Sequence, residues 1–523
     1  MKTNKIITLA LKDSISRPPW RRGFFLIALA LAYLALLPAA QAKQEGDLGN
    51  GNTAEGRNAL NSLTFGVSNT ALGSFALFSN TAGNFNTATG ANALVQNTTG
   101  DNNTATGDSA LDQNTTGNDN TASGFQALLS NTTGNENAAN GVAALQSNTT
   151  GNDNTATGFK ALRGNTTGIE NTGIGSFALF TNTTGENNTA TGFEALHGNT
   201  TGDNNTATGF EALFSNTIGG NNTASGFQAL VLNTSGSRNV GNGFGALASN
   251  TTGVNNTAVG SRALFSNTTA SDNTATGFQA LSNNTTGTIN TASGFLAMEL
   301  NSTGNSNIAV GSQALRLNTI GNGNIALGAA AGSNLTTGDN NIDIGNLGVA
   351  GEANTIRVGA QGSHIAAFVA GVSGTPVVGD AVIVSSSGQL GTVASSRRFK
   401  DAIKPMDKSS EAILSLKPVT FRYKHELDPK GIPQFGLVAE EVAKANPDLV
   451  VRDASGKVYS VRYDAVNAML LNEFLKEHRQ VQEQQKQIEG LTAQLKEQAA
   501  QIQKVSDIVQ MNRPAPQIAD NNQ

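Results

Sequence analysis

The sequence predicts a mainly β protein: a β-solenoid (β-roll) of 17-residue repeats, a β-rich neck, a small α+β domain and a C-terminal coiled-coil helix. Three observations predict it. Eighteen glycines stand in one register, every seventeen residues from Gly56 to Gly345, with no insertion. Asn stands four positions before each of them, from Asn52 to Asn341. Beyond Ser395 charged and helix-forming residues replace the repeats. A strict period marks a stack in which each repeat is one coil. It also argues against disorder, which requires no fixed spacing.

The N-terminus reads as an export signal over 1–42. Basic residues end in Arg21-Arg22, an apolar run covers Gly23 to Leu37, and Ala40-Gln41-Ala42 follows Pro38. That pattern predicts cleavage between Ala42 and Lys43, with an uncleaved anchor as the alternative. The run is short for a membrane span, so no span is expected in the mature chain. A linker is expected over 43–50.

The solenoid is expected over 51–345. A typical coil reads Asn120-Thr-Ala-Ser-Gly124-Phe-Gln-Ala-Leu-Leu-Ser-Asn131-Thr-Thr-Gly134. The register glycines supply positive φ or a close backbone approach. A second Asn recurs seven positions after the glycine, from Asn80 to Asn318. Asn at equal positions of stacked coils forms side-chain amide ladders. Ala-Leu pairs such as Ala127-Leu128 and Ala161-Leu162, flanked by Phe125 and Phe159, read as core. At about 25 cal/mol per Å2 this is a few kcal/mol per coil, so coils are stable only when stacked. The segment Phe-x-Ala-Leu-x-x-Asn is expected to form a short helical turn. Thr pairs such as Thr155/Thr157 share one side of a strand. They become Ile308/Val310 and Ile342/Ile344 in late coils, which predicts that they face inward. The inward orientation sets aside an ice-binding array. An acidic row, Asp119, Glu136, Asp153 and Glu170, reads as a solvated turn; calcium binding or a glycosidase pair is the alternative. Seventeen steps of about 4.8 Å give a rod of roughly 80 Å.

Composition excludes several functions. Charged residues are 14% of the chain and the net charge is -5, so no basic field exists for nucleic acid. With no cysteine, disulfides, thiolate metal sites and a lipid anchor on cysteine are excluded. No cofactor or metal is implied.

A β-rich neck is expected over 346–394, from runs such as Ala381-Val-Ile-Val384 joined by Ser-Gly turns. The α+β domain spans 395–488. A helix is expected over Ser409–Leu416, a strand over Val419–Tyr423, a helix over Gly436–Ala445 and a strand over Val458–Tyr463. Asp464 is the expected N-cap of a long helix over 464–511. Phe474, Val481, Ile488, Leu495, Ile502 and Val509 lie seven apart on it, with Gln484, Leu491, Gln498 and Val505 at the alternate positions. This is a coiled-coil pattern. A disordered tail is expected over 512–523. His425 and His478 read as surface residues.

Two resemblances follow from these residues. Asn307-Ile-Ala-Val-Gly311 and Asn324-Ile-Ala-Leu-Gly328 resemble the head repeats of YadA-like trimeric adhesins, which are left-handed parallel β-rolls. The run Ser395-Ser-Arg-Arg-Phe-Lys400, then Leu416-Lys-Pro-Val-Thr-Phe-Arg-Tyr423, Phe435-Gly-Leu-Val-Ala-Glu-Glu-Val442, Asn446-Pro-Asp-Leu-Val450 and Tyr463-Asp-Ala-Val-Asn-Ala-Met-Leu-Leu471 resemble the intramolecular chaperone domain of phage endosialidases and tail fibres, peptidase family S74. The resemblance implies a domain that trimerises, helps a fibre fold and cuts itself off through a Ser-Lys dyad. It places Ser395 and Lys400 at the dyad, with Arg398 matching the family's arginine and Ser396 standing where the family usually has Asp.

The implied chemistry makes sense on its own terms. A Ser hydroxyl needs a base, and Lys serves only when neutral. Burial or the nearby cations Arg397 and Arg398 would lower its proton affinity. Attack by Ser395 on the carbonyl of Ala394 closes a five-membered ring, whereas attack on its own carbonyl needs a four-membered one. Cleavage is therefore expected at the Ala394–Ser395 bond. The alternative is that Ser395 and Lys400 only open a structural unit.

The expected protein is an exported, secreted or cell-surface fibre of bacterial type, assembled as a homotrimer, with a surface glycan or host-cell receptor as possible partner. Its rival is a tail-spike-like protein that binds or hydrolyses glycan and is matured by the same domain.

Overall fold

The computed structural model describes residues 46–370, 379, 381–385, 387–453 and 455–513. The expected signal peptide, its cleavage point at Ala42–Lys43, part of the neck and the end of the tail lie outside the described residues. The chain divides into two units, 1–365 and 366–523.

The first unit is the solenoid. Each coil contributes one three-residue strand, and neighbours pair in parallel without a register shift, as in Thr104↔Thr121, Ala105↔Ala122 and Thr106↔Ser123. Where a linker was expected over 43–50, Gly46–Gly49 forms a strand antiparallel to Asn52–Glu55. That hairpin covers the first edge, which would otherwise expose unpaired backbone groups.

The strands correct the inward assignment of the Thr pairs. In Thr155–Thr157 the middle Ala156 is fully buried and both Thr side chains point outward. The reason is space. The inward position is always small among the middle coils, and even a Cβ built on Gly173 would sit 3.3 Å from the side chain of Leu162. The outward positions accept Thr, Ser, Asn, Val or Ile because solvent, not packing, bounds them. Ile308, Val310, Leu327 and Ile344 are accordingly exposed.

The turn after the glycine is not helical, which corrects a second expectation. Gln126 and Leu128 both occupy the left-handed region, with φ 58° and 51°. This is unusual for Leu. It aims the side chain into the core, where Leu128 and Ala127 are fully buried, and turns the Leu128 amide to the Ala144 carbonyl of the next coil at 2.9 Å. The neighbouring Phe residues are not core. Phe125 is 49% exposed, and rings at this position stack along the surface, with Phe193–Phe210 and Phe210–Phe227 centroids 5.4 and 5.1 Å apart.

The register glycines meet both expected requirements. From Gly56 to Gly328 their φ lies between 117° and 145°, and a Cβ on Gly124 would fall 2.5 Å from the Gly141 carbonyl oxygen.

Both Asn ladders form and are buried. Asn137 donates from its backbone N and from Nδ2 to Asn120 Oδ1, at 3.0 and 3.1 Å. In the second ladder Asn131 Nδ2 donates to Asn114 Oδ1 at 2.8 Å. The ladders meet: Asn120 and Asn131 both donate to the Gly134 carbonyl, at 2.8 and 2.9 Å. Satisfied in this way, a row of buried amides costs little and fixes the stacking register.

The pattern changes at the C-terminal end of the stack. Gly332 replaces the core Leu, Leu335 the ladder Asn, and Asp343 the inward Ala. Asp343 is buried with neither carboxylate oxygen hydrogen-bonded, and Asn318 Oδ1 is likewise unpartnered. Burial, reinforced by the charge of Glu352, pushes the Asp343 carboxyl up to about 6.

The second unit begins with an exposed hairpin, Val382–Val384 against Leu390–Thr392. A short 3-10 turn, Arg397–Phe399, follows. The helix expected at Ser409–Leu416 is a 3-10 helix over Asp407–Ser415. The strand Val419–Phe421 pairs with Gln434–Gly436, and helix α1 covers Ala439–Ala445. Val450–Arg452 then pairs with Val458–Val461. Helix α2 runs from Tyr463 to Met511. Asp464 lies inside its first turn, where a negative charge favours a helix N-terminus. It is not the N-cap; Arg462 stands there without a side-chain cap bond. The core is small: Ile413, Val442, Leu449, Val450, Val461 and Met469. Past Met469 the apolar residues of α2 are exposed. No described helix is long and apolar enough to cross a membrane.

Candidate active site

The strongest candidate lies where the repeats have ended. Phe399 N bonds to the Ser396 carbonyl at 3.0 Å and Lys400 N to that of Arg397 at 3.1 Å. These i→i+3 bonds fold five residues into one turn. The turn brings its last residue back to the one just before the turn: Lys400 Nζ donates to Ser395 Oγ at 3.2 Å. The contact is within reach for proton transfer.

Ala394, Ser395 and Lys400 are all exposed, so water reaches both the dyad and the Ala394–Ser395 bond. For Ser395 to act as nucleophile, the bond must run the other way, with a neutral Lys400 accepting the hydroxyl proton. Of the two cations named from sequence, Arg398 stacks over the Phe399 ring at 4.6 Å.

The other candidates separate clearly from this one. Asp119, Glu136, Asp153 and Glu170 are exposed turn residues with φ of 56° to 58°. Among the described residues no group of three or more His, Asp or Glu is placed to hold a metal ion. The outward Thr array is broken by Ala138/Asn140 and Val240/Asn242 and turns aliphatic from Ile308. Asn-Thr-Thr sequences such as that at Asn131 place their Asn in a fully buried ladder, closed to modification in the folded chain. His425 and His478 are exposed.

One cluster escaped the sequence reading. Ser410 is fully buried under Asn472, Glu473 and Lys476 of α2. The spacing of Asn472, Glu473 and Lys476 puts them on one helix face, which was the available signal. Ser410 itself carries no sequence mark.

Residues 395–451 match the family model of the peptidase S74 domain, the chaperone of endosialidase. No curated protein and no solved structure matches the chain.

Proposed function

From a chaperone-of-endosialidase domain of peptidase family S74 behind a long β-solenoid, we propose an exported bacterial fibre whose C-terminal unit assembles three copies and then cuts itself away at Ser395. A fibre-like protein with a chaperone domain is the common ground; trimerisation, cleavage and export are the reading built on it.

The contact of Lys400 Nζ with Ser395 Oγ at 3.2 Å carries the cleavage. Neutral Lys400 takes the hydroxyl proton as Oγ attacks the Ala394 carbonyl carbon. The five-membered intermediate collapses by breaking the C–N bond, and the leaving amine takes the proton back from Lys400. The product is an ester between Ala394 and Ser395 Oγ. Water hydrolyses it, leaving a carboxylate on Ala394 and a free amino group on Ser395. No external substrate is involved.

Trimerisation is supported by the apolar seam of α2. Phe474, Val481, Ile488, Leu495 and Ile502 are exposed at seven-residue spacing, a surface that parallel copies bury as a coiled coil. Export is supported by the signal-like residues 1–42 and by the family, whose members are phage tail or extracellular proteins.

The test is expression of residues 43–523. The unmutated chain should give two bands, whereas Ser395→Ala and Lys400→Ala should each give one. Light scattering should report three copies, and removal of 395–523 should leave insoluble or misassembled repeats. An unmutated chain that stays whole after folding refutes the dyad's activity.

A further inference from the structure

The segment that follows Lys400 is strained. Ala402 and Asp407 both lie in the left-handed region, with φ 52° and 41°. Neither is glycine, and such residues persist only where their surroundings hold them. The 3-10 helix Asp407–Ser415 that follows has nine residues, long for a helix of i→i+3 bonds. The run begins seven residues after Lys400, so where it is held limits where the chain can carry Lys400.

What holds it is polar and comes from α2. Ser410 Oγ donates to the Glu473 carboxylate in a short bond and accepts from Asn472 Nδ2 at 2.7 Å. Asn472 Nδ2 also reaches the carbonyl of the left-handed Asp407 at 3.3 Å. Lys476 Nζ donates to Glu473 Oε1 at 2.6 Å, approaches Ser410 Oγ at 3.4 Å and lies 3.7 Å from Glu411. Apart from the Asp407 carbonyl of its own helix, 3.1 Å from Ser410 Oγ, the partners of this buried hydroxyl come from a single turn of α2. An apolar anchor would tolerate a small rotation of the helix. This one would not, since a shift of one residue turns Glu473 about 100° away.

We infer that Asn472, Glu473 and Lys476 form a clip on Ser410 and Asp407 that fixes the strained segment and so positions Lys400 for Ser395. They are positioning residues, and they rest on the self-cleavage reading above. Phe474, the first residue of the apolar seam, lies in the same turn and is 62% exposed. Burying the seam between copies therefore immobilises the turn that carries the clip, which ties cleavage to assembly.

The test uses the full mature chain, 43–523, refolded from denaturant. Glu473→Lys should slow the appearance of the C-terminal fragment at least ten-fold. In a Ser395→Ala background, which cannot be cut, it should speed amide exchange over 407–415. The exchanged pair Glu473→Lys with Lys476→Glu should restore both, as a merely damaged fold would not. Glu473→Gln keeps an acceptor for Ser410 and should give an intermediate rate with unchanged copy number. Glu489→Lys, elsewhere on the helix, should change neither reading. Cleavage of Glu473→Lys at the unmutated rate, or failure of the exchanged pair to recover, overturns the positioning role. Unchanged exchange in the clip variants overturns the clip itself. An unmutated chain that is never cut removes the self-cleavage reading and the positioning role with it, while the exchange data still decide the clip.

Discussion

The two units bury their apolar residues in opposite ways. In the solenoid each coil meets the coils 17 residues before and after it, and Leu, Ala and Asn are fully buried within one chain. In the C-terminal unit six buried residues make the core, while most apolar residues of a 49-residue helix face outward. Along its axis the solenoid is satisfied by its own chain. The C-terminal unit carries a surface that water disfavours and that copies of itself would cover. The candidate dyad lies in the less finished unit, as expected when parts must move, assemble or react.

The largest way to break this contrast is inside the stack. Leu162→Asp places an unpaired charge where no water reaches and should cost about 3–5 kcal/mol. Chemical denaturation should show it, with amide exchange opening locally around that coil. Next comes Gly209→Ala. Its Cβ would lie 2.5 Å from the Gly226 carbonyl oxygen at φ 135°, so a loss of about 2–4 kcal/mol is expected by analogy with overpacked cores and strained backbone. Across the units, Ile488→Asp should leave the solenoid's stability unchanged but abolish three-copy assembly in light scattering.

Smaller effects follow from titration. The Asp343 carboxyl is raised to about 6 from 3.8, so its neutral form is the one favoured in the fold. Its contribution is fully present below pH 4 and is lost as pH rises through 6. Asp343→Asn should therefore protect the last coils against amide exchange at pH 7, by about 2 kcal/mol, and make no difference at pH 4. Glu473 behaves oppositely. Bonds from Lys476 and then Ser410 hold its carboxyl below the usual range, so protection over 407–415 should fail as pH falls below that range. The smallest effect is expected for Thr155→Ile with Thr157→Val, both outward. Stability should change by less than about 0.5 kcal/mol; a large loss would mean the face is not free.

These cases show what the sequence made legible. The period, the two Asn ladders and the buried Leu could be read because each rests on fixed spacing, whereas Ser395 and Lys400 were singled out by the family resemblance and not by spacing. The direction of the Thr pairs could not be read from their tolerance of Ile. The informative residue was the one between them, small in every coil before the last, as at Ala156 or Gly173, which marks the crowded side. Gly134 belongs to the same lesson, since its carbonyl receives both ladders. The left-handed Leu128 was hidden because its conformation is imposed by the stack. The clip on Ser410 was hidden because its partners lie 62 to 66 residues away, beyond any local pattern.

The most direct test of the account is the intact mass and N-terminal sequence of the folded products of residues 43–523. The account predicts two species, 43–394 and 395–523, the second with a free amino group on Ser395, and a single uncut species for Lys400→Ala. One full-length mass for the unmutated chain after folding, or a cut at another bond, would contradict it.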